Sequence, residues 1–191
     1  MNCREFVEGR IHSRNMKTVV VALLLMMTVG AGLRPASAQT SSLKTELLRD
    51  WLEMKATIHK LAEEMPAEKY RFTTTPSQRD FGQQVTHIAG GNVGNLRFLG
   101  GKATPPVIDR NATSKAEAIK AMDASFDFGA ALINEFTDQT LMETVQTNAF
   151  LGPSSRARVI WFLLGHTWDI YGQMVVYLRL NGGVPPASQR P

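Results

Sequence analysis

Four stretches of this chain carry apolar residues at alternating three- and four-residue steps, and proline or glycine closes three of them. This pattern restricts the fold more than any other feature, because it gives each helix one apolar stripe that must find a partner. The first stripe, Trp51, Met54, Ile58, Leu61 and Met65, predicts a helix over 42–65 that Pro66 ends. In the connection 66–79, Pro76 fixes an extended stretch before it. Asp80-x-x-Gln83 has the form of a capping box and opens a second helix reaching about Leu99, with Phe81, Val85, Ile88, Leu96 and Leu99 as its buried stripe. Gly82, Gly90, Gly91 and Gly94 lie inside it, each costing about 1 kcal/mol against alanine. Such a run predicts close approach of another backbone, and hence a central helix. Gly100-Gly101 end it, and Pro105-Pro106 keep the next connection extended.

Ser114-x-x-Glu117 is a second capping box, opening a helix to about Phe136 through Ala118, Met122, Phe126, Ala130 and Ile133. In segment 137–153, Leu141, Val145 and Phe150 predict an extended strap laid over the other helices. Ser154 or Ser155 caps a last helix running to Leu180, stopped by Asn181-Gly182-Gly183. No β-alternating run of useful length competes, and no internal repeat is present. The chain is therefore expected to be all-α, a four-helix bundle. Three connections of more than about 12 residues permit either a crossover or an up-and-down order.

Charge is unevenly spread. Arg4, Arg10, Arg14, Lys17 and Arg34 stand against Glu5 and Glu8 in 1–38, which leaves 16 basic and 15 acidic residues in 39–191 from 21 and 17 overall. A nearly neutral domain offers no broad attraction to nucleic acid, so no nucleic-acid partner is expected. Lys17 precedes an apolar run from Val19 to Leu33, and Ala36-Ser37-Ala38 follows as a small-x-small cleavage pattern. Together they predict a secretory signal peptide over 16–38 within a presequence 1–38, with Met16 as the start and 39–191 as the mature domain. The run is short for a membrane span, so no stable membrane anchor is expected after cleavage, and the protein is expected to be periplasmic or extracellular. The single cysteine, Cys3, would leave with the presequence, and with it any disulfide or thiolate chemistry. Asn111-Ala112-Thr113 fits a glycosylation sequon, a pattern short enough to arise by chance.

The sequence carries no nucleophile-elbow, phosphate-loop or dinucleotide motif. Glu63 and Glu64 are adjacent on a helix and diverge by about 100°, so they form a solvated face rather than a catalytic pair. Lys115, Lys120, Arg156 and Arg158 are read as solvated helix ends, and Trp161, Phe162, Trp168, Tyr171 and Tyr177 as core and bundle-end packing. Three histidines remain beyond the presequence. His87 and His166 fall on the second and last helices, and imidazoles inside a bundle are common metal ligands. His59 lies on a lysine-rich side and is read as a surface residue.

The last helix, His166-Thr167-Trp168-Asp169-Ile170-Tyr171-Gly172-Gln173 and onward, resembles the final helix of the DinB-like family. Trp51, the run AEEMPAEKYRF at 62–72, Thr75-Pro76, Phe81-Gly82 and His87-Ile88-Ala89-Gly90 agree in order and spacing. The resemblance covers nearly all of 43–188. It implies a four-helix bundle holding a divalent metal, zinc or nickel, through one histidine on helix two and two on the last helix in an H-x-x-x-H arrangement. His87 matches the first position and His166 the second, but Ile170 stands at the third and offers no lone pair. Asp169 lies about 100° around the helix from 170, and Gln173 either supports a ligand or closes the bundle end.

Two functions follow from the resemblance. One is an exported metal-assisted enzyme, a hydrolase or transferase acting on a small molecule, with no catalytic residue identified beyond the two metal positions. The other is a non-catalytic bundle that binds a small apolar ligand or a protein partner in the former metal cavity. The glycines of helix two equally serve packing in a homodimer.

Overall fold

Helix α1, Leu43–Glu64, begins at Ser42, whose side chain accepts a hydrogen bond from the Thr45 backbone N–H. The computed structural model describes residues 41–109 and 114–189. The presequence, its cleavage pattern, Cys3 and the sequon at 111–113 lie outside the described residues. Helix α2 is Phe81–Leu96 and α3 is Lys115–Glu135; both open with complete capping boxes, Asp80 with Gln83 and Ser114 with Glu117. A 3-10 turn, Arg97–Leu99, carries α2 to Gly100, whose φ of 65° suits only glycine without strain. The last helix, Arg156–Leu180, is capped by Ser155; Ser154 is instead buried beside it.

Segment 137–153 departs from the extended strap that its sequence predicts. It holds a one-turn helix, α4 (Asp138–Leu141), and then β1 (Thr144–Val145) pairs antiparallel with β2 (Ser154–Ser155). The last helix is therefore α5. Thr137 caps α4 through its own hydroxyl, a short-range hydrogen bond that competes with extended backbone. Leu141 is fully buried, but Phe150 is 82% exposed and does not clamp the core.

The four long helices form a bundle in which α1 packs on α3 and α5, and α2 packs on the same two. Neighbours around the bundle therefore run α1–α3–α2–α5. The links from α1 to α2 and from α3 to α5 both cross a diagonal, so the connectivity is of the crossover kind. Helix α2 has two long neighbours like every other helix and is not central. The core is continuous, with Trp51, Ile58, Leu61, Phe81, Ile88, Phe126, Ile160 and Met174 all fully buried. At the α1–α3 seam, Trp51 donates from Nε1 to the Phe126 carbonyl at 2.8 Å and tilts against the Phe126 ring. A Cβ at Gly129 would stand 2.4 Å from the indole, so this glycine makes the close approach that the sequence predicts for α2. On α2, a Cβ at Gly82 would meet Tyr70 Cδ1 at 3.1 Å and one at Gly91 would meet His166 at 3.4 Å, whereas Gly94 faces open space.

Candidate functional site

The seam between α2 and α5 is built differently. Residues at three- and four-residue steps on α2 share one face, as do those on α5, so polar side chains from both helices meet along a line. At one end Gln84 Nε2 donates to Gln173 Oε1 at 2.9 Å, and Gln173 Nε2 donates to Asp169 Oδ2 at 3.2 Å. Gln173 thus ties α2 to α5. One turn along, the rings of His87 and His166 meet edge to face, with centroids 5.1 Å apart. Both histidines are half-buried. Phe162 stacks parallel to His166 at 6.2 Å, and Phe150 leans on Phe162 at 5.8 Å. A Cβ on Gly91 would lie 3.4 Å from His166 Nε2, so the absent side chain leaves this nitrogen close to the α2 backbone.

A cavity of about 290 Å³ opens beside this pair, lined by Arg79, Gln83, Thr86 and His87. Tyr177, itself buried, donates its hydroxyl to the Arg79 carbonyl at 2.7 Å and so fixes the backbone that presents Arg79 to the cavity. The guanidinium of Arg79 is exposed and makes no ion pair or side-chain hydrogen bond among the described residues. Burial holds the His166 imidazole below its ordinary value; Asp169 opposes that shift and Arg79 adds to it. His166 is therefore neutral at physiological pH, and a neutral imidazole keeps a lone pair for a ligand or a proton.

The two histidines singled out from the sequence are thus side by side. Ile170, at the third position, is 2% exposed and belongs to the apolar core. Asp169 is exposed and turned toward Gln173. Among the described residues, no group of three His, Cys, Asp or Glu side chains stands close enough to hold a metal. Two imidazoles are one protein ligand short of an open catalytic zinc site, so this donor set suits a weakly held ion with exchangeable positions. His59 is not bare surface: its Nδ1 lies 3.0 Å from Asp123 Oδ2 on α3, apart from the other two histidines.

Other residues depart from their sequence readings. Arg156 is a clamp rather than a solvated helix end: Nε donates to the Leu99 carbonyl at 2.7 Å, and Nη1 to the Thr140 carbonyl and Glu143. Its guanidinium also lies over Phe136, 4.9 Å from the ring centroid. Arg158 holds the Leu151 carbonyl. Lys115 pairs with Glu63 on α1 at 2.9 Å. Trp161 and Trp168 are 67% and 53% exposed and are not core, because they fall on the outer face of α5. Arg79 is the site residue that sequence reasoning missed. Its only signal was its place in the cap region just before Asp80.

Comparison with known proteins supports the architecture. The DinB superfamily pattern matches residues 51–174. A DinB-like protein from Bacillus cereus is similar in structure, with a TM-score of 0.55 and 19% identity over 73% of this chain and 93% of that one. A DinB-like protein from Bacillus subtilis gives a TM-score of 0.58 and 13% identity over 76% and 99%. No curated protein matches the chain. At these identities the solved structures speak for the fold. No described helix is long and apolar enough to cross a membrane.

Proposed function

The chain belongs to the DinB superfamily, and on that footing we propose that it is an exported enzyme of hydrolase or transferase type acting on a small acidic molecule. The observation that carries this reading is the His87–His166 contact beside a cavity lined by Arg79, whose guanidinium makes no ion pair among the described residues. No carboxylate lines that cavity among the described residues, so an acidic ligand meets the Arg79 cation and the His87 imidazole, with His166 behind His87, without a competing charge at the wall. His87 and His166 would hold a divalent ion, zinc or nickel, loosely; when bound, the ion supplies Lewis acidity that lowers the pKa of a water or thiol. With no ion held, the same lone pair of neutral His166 would instead take up a proton, while Phe162 stacks parallel to the ring. Gln84 and Gln173 fix the spacing of the two helices. The export half of the reading rests on the run over 16–38.

Ile170 favours a second reading, a bundle that binds its ligand without turnover, because it places a buried apolar group where a third donor would stand. One experiment separates the two. The purified protein is screened for hydrolysis of small carboxylate- and phosphate-bearing substrates beside His87→Ala, His166→Ala and Arg79→Ala. The enzyme reading expects turnover that falls at least 100-fold in either histidine variant, with the loss in Arg79→Ala mainly in KM. Binding without turnover supports the second reading, and activity indifferent to all three substitutions removes the site altogether.

A further inference from the structure

The outer face of α5 is apolar, and among the described residues nothing from another element packs on its two glycines. Between Arg158 and Arg179 the helix carries one carboxylate, Asp169, and no lysine or arginine. Trp161 and Trp168 are seven residues apart, and so are Gly165 and Gly172 between and beyond them. The four positions share a face about 130° around the helix from His166, and the indoles are 67% and 53% exposed. A Cβ built on either glycine meets nothing within 4 Å. The face is thus a row of two aromatic knobs and two open holes.

We infer that this face is the interface of a homodimer, with α5 of one copy packed antiparallel on α5 of a second about a two-fold axis between His166 and Thr167. An antiparallel two-fold pairs residues equally far from the axis on either side. That single register sets Trp161 opposite the partner subunit's Gly172, and Trp168 opposite the partner subunit's Gly165. Both indoles meet glycines at once, and by symmetry the pairs recur on the other side, giving four layers of indole on glycine. Large-on-small layers let two helices approach closely while filling the space between them. The axis lies near the middle of α5, so the two helices overlap over most of their length.

The two indoles alone supply somewhat under half of the area that a standard interface takes. The exposed parts of the two indoles come to about 300 Å² per copy, against about 800 Å² that a standard interface takes from each partner. Val176, 49% exposed, extends the patch toward the helix end. Tryptophan at the centre of an interface is the residue type that most often dominates binding. Asp169 lies at the edge of the stripe, turned toward Gln173, where its charge stays in water.

The test is sedimentation equilibrium of the purified protein at micromolar concentration, every variant having the same N-terminus. Wild type is expected to be dimeric. Gly165→Trp and Trp168→Gly are each expected to weaken the dimer at least 10-fold. The double variant, which exchanges knob and hole, is expected to restore most of the loss, because 165 and 168 face each other across the axis. Gly172→Gln is expected to weaken the dimer without lowering the monomer's thermal midpoint, since the glycine has open space above it. A monomeric wild type overturns the proposal, including one that sediments with anionic lipid vesicles as a monomer. So does a dimer that survives both single substitutions, or a double variant that fails to recover while folded by circular dichroism.

Discussion

The α1–α3 seam and the α2–α5 seam belong to one bundle and have opposite characters. In the first, an indole lies on a glycine and its one polar atom is satisfied by a backbone carbonyl. In the second, two histidines and two glutamines face each other beside a cavity, and Gln84 Oε1 is buried with no partner among the described residues. Dry contact adds dispersion and hydrophobic stabilisation, whereas a buried acceptor such as Gln84 Oε1, left without a described partner, lowers stability and is available to a ligand. The bundle therefore keeps its cohesion on one side and its chemistry on the other.

Substitutions at the dry seam are expected to have the largest effects. Trp51→Ala is expected to cost about 3–5 kcal/mol in denaturant unfolding, the range for a fully buried aromatic residue. Gly129→Ala is expected to cost about 1–3 kcal/mol by overpacking the indole. The same substitution at Gly94, which faces open space on α2, is expected to stabilise by up to about 1 kcal/mol. Equal effects at the two glycines would erase the distinction between the seams. His87→Ala is expected to change stability by less than about 1 kcal/mol while removing ligand binding, as suits a half-buried residue on the polar seam.

The smallest effect concerns pH. His166 titrates lower in the folded protein than its ordinary 6.5 because burial disfavours the charged ring. The unfolded chain thus binds the proton more readily, and stability falls as pH drops from 6.5 toward the folded value, with no contribution above 6.5. Asp169 and Arg79, the charged groups acting on it, pull in opposite directions. Unfolding curves between pH 7.5 and 5 are expected to show a shallower loss in His166→Gln than in wild type. An unchanged slope would mean that His166 is solvated in the folded state.

Much of the dry seam was legible in the sequence, and less of the polar one. The stripe through Trp51, Met54 and Ile58 and the two capping boxes are local patterns, and local hydrogen bonds and periodicity are what a sequence states directly. Gly129 was not singled out, because its role depends on which helix lies across from it. Periodicity places His87 and His166 on two helices but not on neighbouring ones; the family resemblance supplied their shared site. Phe150, Trp161 and Trp168 were read as packed because apolar identity does not state which face a residue occupies. Arg156 was read as solvated because its acceptors are carbonyls on segments distant in sequence.

The most direct test of the two-imidazole site is metal content by elemental mass spectrometry, comparing wild type with Ile170→His after dialysis against dilute zinc or nickel. The account predicts well under one equivalent in wild type and about one in Ile170→His, since a third imidazole one turn from His166 completes an open three-ligand site. A full equivalent in wild type, or none in either protein, would contradict it.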